Sequence, residues 1–287
     1  MMDNMLQKII DFIKKETVLT IATVLAVVSA FWVHPGRQYV DYIDWRVLGI
    51  LLSLMLIVAG FQSNGLFDAI GSRLLAKTKN TAQLMLVLVF LGFFSSMFIT
   101  NDVALLTFVP FACTILQKCH QERLIVTAFV LQTLAANLGS MLTPIGNPQN
   151  LYLYSISGAG LGEFVGWMAP YTLVSGVLLL LVVFVLSAGK RRISLETGAL
   201  LQTSGAAGRK KNGIYLALFV LSLLSVARVL PWELMLVVVL IVLIFTDRAV
   251  FLQVDYCLLF TFISFFIFIG NMGNIGACLL YTSDAAD

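Results

Sequence analysis

Long apolar runs dominate this chain, and short polar or basic stretches separate them. A helix that crosses a bilayer needs roughly 20 mostly apolar residues, and several runs approach or exceed that length. The pattern therefore predicts an all-α, polytopic membrane protein. The predicted spans cover residues 17–33, 45–76, 81–98, 101–117, 124–156, 163–187, 213–228, 232–246 and 254 onward.

Composition agrees with this pattern and excludes several classes of protein. Hydrophobic residues make up 60% of the 287 positions and charged residues 11%, whereas soluble domains carry about 25% charged residues. A soluble enzyme, a disordered chain and a secreted disulfide scaffold are therefore excluded. The four cysteines form no C-x-x-C pair, which favours free thiols. We expect no cofactor apart from Na⁺ as a coupling ion.

Basic residues set the orientation in the membrane. With a cytoplasmic N-terminus, Arg37, Arg46 and Arg228 fall on the outer side, and the remaining 15 of the 18 basic residues fall inside. Because short cytoplasmic loops are enriched in Lys and Arg, this split predicts a cytoplasmic N-terminus in a plasma or inner cell membrane. The amphipathic stretch Met1–Glu16 is predicted to lead into a retained first helix rather than a cleaved signal peptide.

Two predicted spans are too long for one straight helix. Trp45–Ala76 and Leu124–Ile156 each exceed 30 residues, which is more than a bilayer core of about 30 Å requires at about 1.5 Å per residue. They are interrupted at Gly60–Gly65 and Thr143–Asn150, and the pair between them is broken at Thr100–Asp102. That pair forms either two crossings or a re-entrant hairpin. Irregular backbone at membrane depth is tolerated only where protein or water lines it, so the breaks predict a substrate path.

An internal repeat relates the middle of the chain to its end. An offset of 210 residues pairs Gly60 with Gly270 and Asn64 with Asn274, each near the end of an apolar run. The charge count gives the two copies opposite orientations, and inverted repeats with broken helices are typical of secondary transporters. The apolar pattern stops after Leu280. We expect a truncated second repeat with a non-native tail, and a genuine short C-terminus is the alternative.

These boundaries predict the organisation of the chain. An amphipathic segment and a first transmembrane helix (residues 1–44) precede the first transport repeat (45–188), which contains the hairpin and the broken helix. The later segments are a basic cytoplasmic linker (189–212), connecting transmembrane helices (213–253), the start of the second repeat (254–280) and the tail (281–287).

The clearest candidate site is the polar triplet Thr100, Asn101 and Asp102, which lies between two apolar segments. Hydroxyl, amide and freed carbonyl oxygens at such a break are ligands that hard cations prefer. An ionisable residue at membrane depth is unfavourable and indicates function. Helix capping is the alternative explanation, because Thr, Asn and Asp are all favoured at helix N-termini.

The second candidate site is a run of small and polar residues inside the long apolar stretch after Leu124. Two prolines break the helix, and a half-helix starting near Pro148 would direct free N–H groups at an anion. Carbonyls freed before Pro144 would face a cation. A kinked helix whose Asn and Ser residues bond neighbouring helices is the alternative. The candidate residues are Asn137, Gly139, Ser140, Thr143, Pro144, Gly146, Asn147, Pro148 and Asn150.

The two motifs, Ile99–Phe111 and Ala136–Tyr154, resemble the ion transporter superfamily. That group holds arsenite permeases, one class of Na⁺/H⁺ antiporter, citrate transporters and divalent anion:sodium symporters. The resemblance covers about residues 45–280, and it implies two inverted repeats that each contribute a re-entrant hairpin and a broken helix. Residues 1–287 would then hold little more than the first half of such a transporter.

The hairpin tip departs from the symporter branch of that superfamily. In symporters a Ser-Asn-Thr tip and the facing broken helix bind sodium and the substrate carboxylate, and here only Asn101 is shared in register. The pair Asn101-Asp102 resembles the hairpin tip of the arsenite and antiporter branch, where Asn-Asp is usual. There the carboxylate can carry a proton. The resemblance implies a Na⁺ site at Thr100, Asn101 and Gly139.

The sequence as a whole predicts a secondary active transporter rather than an enzyme. The expected cargo is a small anion or oxyanion (carboxylate, sulfate or arsenite-like), coupled to Na⁺ or H⁺ by alternating access. A Na⁺/H⁺ antiporter and a passive channel are the alternatives. An intramembrane protease is disfavoured because only Asp102 is well placed and no H-E-x-x-H motif occurs. The expected partners are the small anionic substrate and the lipid bilayer, with a homodimer left open and no nucleic acid.

Overall fold

The computed structural model describes residues 7, 11–75, 78–186 and 206–274, most of them in helices. The α-helices are α1 (Thr17–Ser29), α2 (Gln38–Tyr42), α3 (Trp45–Ser63), α4 (Leu66–Leu75), α5 (Thr81–Ser95), α6 (Asn101–Lys118), α7 (Ile125–Ser140), α8 (Pro148–Ser157), α9 (Leu161–Leu186), α10 (Ala206–Val226), α11 (Trp232–Thr246) and α12 (Tyr256–Gly273). Short 3₁₀ turns occupy Glu122–Leu124 and Arg248–Leu252.

The fold class predicted from the apolar pattern is confirmed. Four helical stretches in the described residues are long and apolar enough to cross a membrane, and shorter apolar helices accompany them. The long stretches are Trp45–Ser63, Glu122–Ser140, Leu161–Leu186 and Tyr256–Gly273. The protein is therefore an all-α, polytopic membrane protein.

The structure interrupts helices within the segments that the sequence marks as breaks. Helices α3 and α4 are separated by Asn64 and Gly65, whereas α7 and α8 are separated by residues 141–147. Helices α5 and α6 form a helical hairpin, and their connecting loop covers residues 96–100. Gly65 adopts a φ of 67°, a left-handed conformation that favours glycine, so the chain can leave α3 at this residue.

Among the α-helices given above, α2 is the one that the apolar pattern does not predict. Its five residues, Gln38–Tyr42, are too few to show a helical period. Local contacts stabilise it instead, since the Tyr39 hydroxyl donates to Val33 O at 2.6 Å and the Tyr39 and Tyr42 rings lie 5.7 Å apart.

The chain divides into two compact units. One contains Met1–Leu52 together with Val254–Asp287, and the other contains Ser53–Gln253. The organisation into repeats stays a prediction. Most of the predicted linker (189–212), all of the tail (281–287) and the last part of the predicted second repeat (275–280) lie outside the described residues.

In the first unit, α1 packs along α12, and a buried amide joins them to α2. Asn271 is fully buried, and its Nδ2 donates to Ser29 Oγ and to the Tyr39 hydroxyl, each at 2.9 Å. The preceding residue, Gly270, lies so close to the Tyr42 ring that a Cβ would come within 2.2 Å of it. Close packing and hydrogen bonds thus fix the end of α12.

The second unit has its apolar core among α5, α6, α7 and α9. The core side chains belong to Leu75, Leu84, Met85, Leu88, Val89, Phe93, Met97, Ala112, Ile115, Leu116, Cys119, Ala128, Leu131, Ala135, Leu179 and Val183. Helix α5 begins at a side-chain cap, in which Asn80 Oδ1 accepts from Gln83 N at 2.9 Å. Because α5, α6 and α7 all pack on this core, it fixes the position of the loops at residues 96–100 and 141–147.

Candidate functional site

The α5–α6 loop and the α7–α8 loop lie side by side in the second unit. Thr143 Oγ1 donates to Met97 O at 2.5 Å, and Asn101 N donates to Gly146 O at 3.0 Å. These two hydrogen bonds join segments that are more than 40 residues apart in the chain. We call this meeting of residues 96–102 and 137–150 the loop junction.

Asn101 occupies the centre of the loop junction. Its Nδ2 donates to Asn137 Oδ1 at 3.0 Å, and Asn137 Nδ2 donates to Thr133 O at 2.8 Å, which orients both amides. Asn101 Oδ1 is buried and has no hydrogen-bond partner among the described residues. A buried acceptor without a partner is unfavourable, so this oxygen is available to a cation or to a protonated group.

The start of α8 is built from three side chains of the same motif. Asn147 caps the helix, since its Oδ1 accepts from Asn150 N at 2.7 Å. Its Nδ2 donates to Ser140 Oγ at 3.2 Å. Asn150 Nδ2 lies within 3.2 Å of three carbonyl oxygens, those of Ser140, Met141 and Thr143. Asn150 therefore satisfies carbonyls that the end of α7 leaves free.

Two glycines allow the backbones at the loop junction to approach closely. A Cβ on Gly139 would lie 2.0 Å from Phe93 O, so α7 can contact the end of α5 only with glycine at this position. A Cβ on Gly146 would lie 2.2 Å from Ser140 O. Both predicted glycines thus have a steric function in the junction.

Helix ends give the loop junction its electrostatic character. Helices α6 and α8 begin there, and α5 and α7 end there. A helix N-terminus carries about half a positive charge and a C-terminus about half a negative charge. Because Asn101 N contacts Gly146 O, the two N-termini lie close together, and the junction offers a positive side and a negative side.

The twelve candidate residues predicted from the sequence all lie in or next to the loop junction. Thr100 is 8% exposed and precedes α6 with an extended backbone, Asp102 is exposed in the first turn, and Pro144 and Pro148 are buried. Gln62, Ser63 and Asn64, where α3 ends, lie at the other break. Whether the twelve bind a ligand stays a prediction.

Gln132 belongs to this arrangement, although the sequence motifs do not include it. It is 1% exposed, and its Nε2 donates to Leu88 O at 3.0 Å and to Phe108 O at 3.2 Å. One amide on α7 therefore joins both helices of the hairpin. An isolated Gln in an apolar stretch, less than two turns before Asn137, is the only signal in the sequence that could have indicated it.

The described residues offer a metal ion individual oxygen donors rather than a cluster of His, Cys and acidic side chains. No group of three or more His, Cys, Asp or Glu side chains is close enough there to hold a metal ion. Of the predicted Na⁺ ligands, Thr100 and Asn101 lie at the hairpin tip, and Gly139 lies against Phe93 O. Oxygen donors of this kind suit a hard cation.

Family profiles decide which transporters this chain is related to. The profile of the citrate transporter family (CitMHS) matches residues 5–286, nearly the whole chain. The chain belongs to this family. The resemblance to the ion transporter superfamily is thereby confirmed.

Curated relatives from bacteria and archaea are similar to this citrate transporter family member. It is 34% identical over 164 residues to inner membrane protein YbiR of Escherichia coli, covering 56% of this chain and 43% of the relative. It is 29% identical over 245 residues to the uncharacterized transporter MJ0456 of Methanocaldococcus jannaschii, covering 84% and 64%. The chain thus spans less than two thirds of the length of these relatives.

Proposed function

We propose that this citrate transporter family member is a secondary active transporter for a small carboxylate or oxyanion, coupled to Na⁺ or H⁺. The observation that carries the proposal is the loop junction, where two helix N-termini and the buried, unpartnered Asn101 Oδ1 come together. Discontinuous helices that meet at a polar site are the structural basis of binding in many secondary transporters.

The anion would bind on the side of the junction formed by the N-termini of α6 and α8. Free N–H groups and the helix dipole both favour negative charge at such a position. Asn147 and Pro148 begin α8 there. Because the family is described as citrate transporters, a carboxylate is the first substrate class to test, with sulfate and arsenite as the next.

The coupling ion would bind at the hairpin tip, next to the C-terminal ends of α5 and α7. Asn101 Oδ1 and the backbone carbonyls near Thr100 and Gly139 are oxygen donors suited to Na⁺. Asp102 lies in the first turn of α6, where its negative charge complements the helix dipole. We assign Asp102 the alternative coupling role, in which its carboxylate takes up and releases a proton.

Alternating access would move the hairpin and the broken helix together. The bonds from Gln132 to both hairpin helices, together with the Asn101–Gly146 and Thr143–Met97 bonds, tie α5, α6 and α7 into one body. Movement of that body, rather than movement within it, would carry the bound ions between the two sides of the membrane.

Uptake into proteoliposomes tests the proposal, with labelled citrate, sulfate or arsenite and an imposed Na⁺ or pH gradient. We expect saturable uptake that depends on either the Na⁺ gradient or the pH gradient. Asn101→Ala keeps the backbone bond to Gly146 but removes both amide atoms, so we expect affinity to fall by about tenfold or more. Asn64→Ala, at the other break, is the matched control and should leave affinity unchanged.

Three results would contradict the proposal. If the Asn101→Ala variant takes up the anion as the wild type does, the loop junction is not the binding site. Na⁺/H⁺ exchange without any anion would indicate an antiporter. Conductance far above the turnover of a carrier, with no dependence on a co-ion gradient, would indicate a channel.

A further inference from the structure

One charged side chain holds the end of α8 that lies away from the loop junction. Arg228 Nη1 donates to Gly158 O at 3.0 Å, and Nη2 donates to Tyr154 O at 3.2 Å. The guanidinium carbon also lies 5.0 Å from the centroid of the Tyr154 ring, and Tyr154 is 2% exposed. A residue 70 positions along the chain from Gly158 therefore caps the carbonyl end of α8.

The backbone at Arg228 is unusual for this residue type. Its φ is 63°, in the left-handed region that non-glycine residues adopt only at an energetic cost. The position follows the end of α10, where Val229 N donates to Leu224 O at 2.9 Å and closes the turn. Glycine is common at such a position, so the side-chain contacts with α8 compensate for the unfavourable backbone.

Helix α10 is also fixed in its first half, which gives Arg228 a firm support. Tyr215 is 2% exposed and packs so tightly on Gly60 that a Cβ there would lie 2.0 Å from the ring. Its hydroxyl donates to Asp247 Oδ2 at 3.2 Å, and Lys211 Nζ lies 3.1 Å from the same oxygen. Helix α10 is thus attached to the end of α3, to α11 and, through Arg228, to α8.

We propose that Arg228 is a positioning residue that holds α8 with its N-terminus directed at the loop junction. The inference rests on the proposed function, because the anion would bind at that N-terminus. Helix α8 has 10 residues, too few to be stable without tertiary contacts. The guanidinium at its C-terminus supplies such contacts, and its bonds are charge-assisted and complement the helix dipole.

Arg228→Gln and Arg228→Lys test this role in the purified, reconstituted protein. We expect Arg228→Gln to accelerate amide hydrogen exchange in residues 151–157 by about tenfold and to raise the KM for the transported anion by about tenfold, with the maximal rate changed less than twofold. Lysine keeps the charge but cannot bond both carbonyls in the same fork geometry. Arg228→Lys should therefore give intermediate values of exchange and KM.

Arg37→Gln is the control for loss of a positive charge, because Arg37 is exposed at the start of α2 on the same predicted side of the membrane. It should leave exchange in α8 and the KM unchanged. Wild-type exchange in both Arg228 variants would overturn the proposal, as would a lowered maximal rate with an unchanged KM. If Arg228→Gln does not fold, intermediate exchange and KM in Arg228→Lys support the proposal, and wild-type values overturn it.

The exchange measurement also separates the two hypotheses. Faster exchange in α8 of the variants, in a protein whose wild type transports none of the three anions, would establish Arg228 as the residue that holds α8 and would overturn the proposed function. Anion transport with unchanged exchange and KM in the variants would support the proposed function and overturn the role of Arg228.

Discussion

The two broken helices of the second unit are built in different ways. The break between α3 and α4 is two residues long and is closed by local bonds, in which Asn64 N donates to Gly60 O at 3.1 Å and Gly65 N donates to Gln62 O at 3.0 Å. Aromatic rings surround it, with Phe61 5.9 Å from Tyr215. The break between α7 and α8 is seven residues long, and its polar groups bond a different segment of the chain.

This difference separates a bend from a binding site. A break that satisfies its own backbone groups, as at Asn64 and Gly65, changes the direction of the chain without offering those backbone groups to a ligand. The α7–α8 break instead combines two helix N-termini with an amide whose oxygen is buried without a partner. We therefore expect changes at the second break to alter both stability and anion affinity, and changes at the first to alter stability alone.

Gly139→Ala should have the largest effect. The new Cβ would lie 2.0 Å from Phe93 O. This is a backbone atom, so no side-chain rotation can relieve the clash. We expect the free energy of unfolding to fall by about 3 kcal/mol, at the upper end of the range for overpacking, and anion binding to be lost. Thermal unfolding in detergent, with and without the anion, measures both effects.

Gly166→Ala is the matched control on α9, because a Cβ there meets nothing within 4 Å. Alanine is a better helix former than glycine by about 1 kcal/mol, so this variant should unfold at the same temperature as the wild type or higher. A Gly139→Ala protein with wild-type stability and affinity would contradict the close contact between α7 and α5.

The sequence predicts the positions of these breaks far better than their partners. Proline, glycine and asparagine act locally on the backbone, so the interruptions near Asn64, Thr100 and Pro144 are visible as residue types. The acceptors of Gln132, by contrast, are the carbonyls of Leu88 and Phe108. Every residue has a carbonyl, so no residue type marks which ones will receive an amide from another helix.

Arg228 shows that the sequence also does not mark which side chain will donate such a hydrogen bond. In the sequence it is one of three basic residues on the predicted outer side, and nothing distinguishes it from Arg37 or Arg46. Its function as the cap of α8 depends on packing between helices that lie 70 residues apart in the chain. Such a contact follows from tertiary structure and not from any local pattern.

Asn150→Asp and Asn147→Asp form the next pair, in order of effect. The two hydrogens of Asn150 Nδ2 are shared among three carbonyl oxygens within 3.2 Å, and an aspartate offers no donor, so we expect the free energy of unfolding to fall by about 2 kcal/mol. Asn147 acts as an acceptor in its helix cap, and aspartate is equally good there. Asn147→Asp keeps this cap but loses the bond from Nδ2 to Ser140 Oγ, so the free energy of unfolding should fall by about 1 kcal/mol, less than in Asn150→Asp.

Anion affinity distinguishes the two variants further. Asn147→Asp adds a negative charge at the N-terminus of α8, which should repel the anion and raise its KM by about tenfold although the fold is intact. Thermal unfolding and uptake assays together provide the measurement. A stable Asn147→Asp protein with wild-type KM would place the anion elsewhere. An Asn150→Asp protein as stable as the wild type would contradict the hydrogen bonds from Asn150 Nδ2 to the three carbonyls.

Gly65→Ala at the first break should have the smallest effect and tests the other side of the comparison. Gly65 has a φ of 67°, a conformation that destabilises a non-glycine residue by about 1 kcal/mol. We expect that loss in thermal unfolding, with the KM for the anion unchanged, because the hydrogen bonds of this break are local. A tenfold rise in KM at wild-type stability would show that the first break also contributes to the site, and the contrast between a bend and a binding site would then no longer hold.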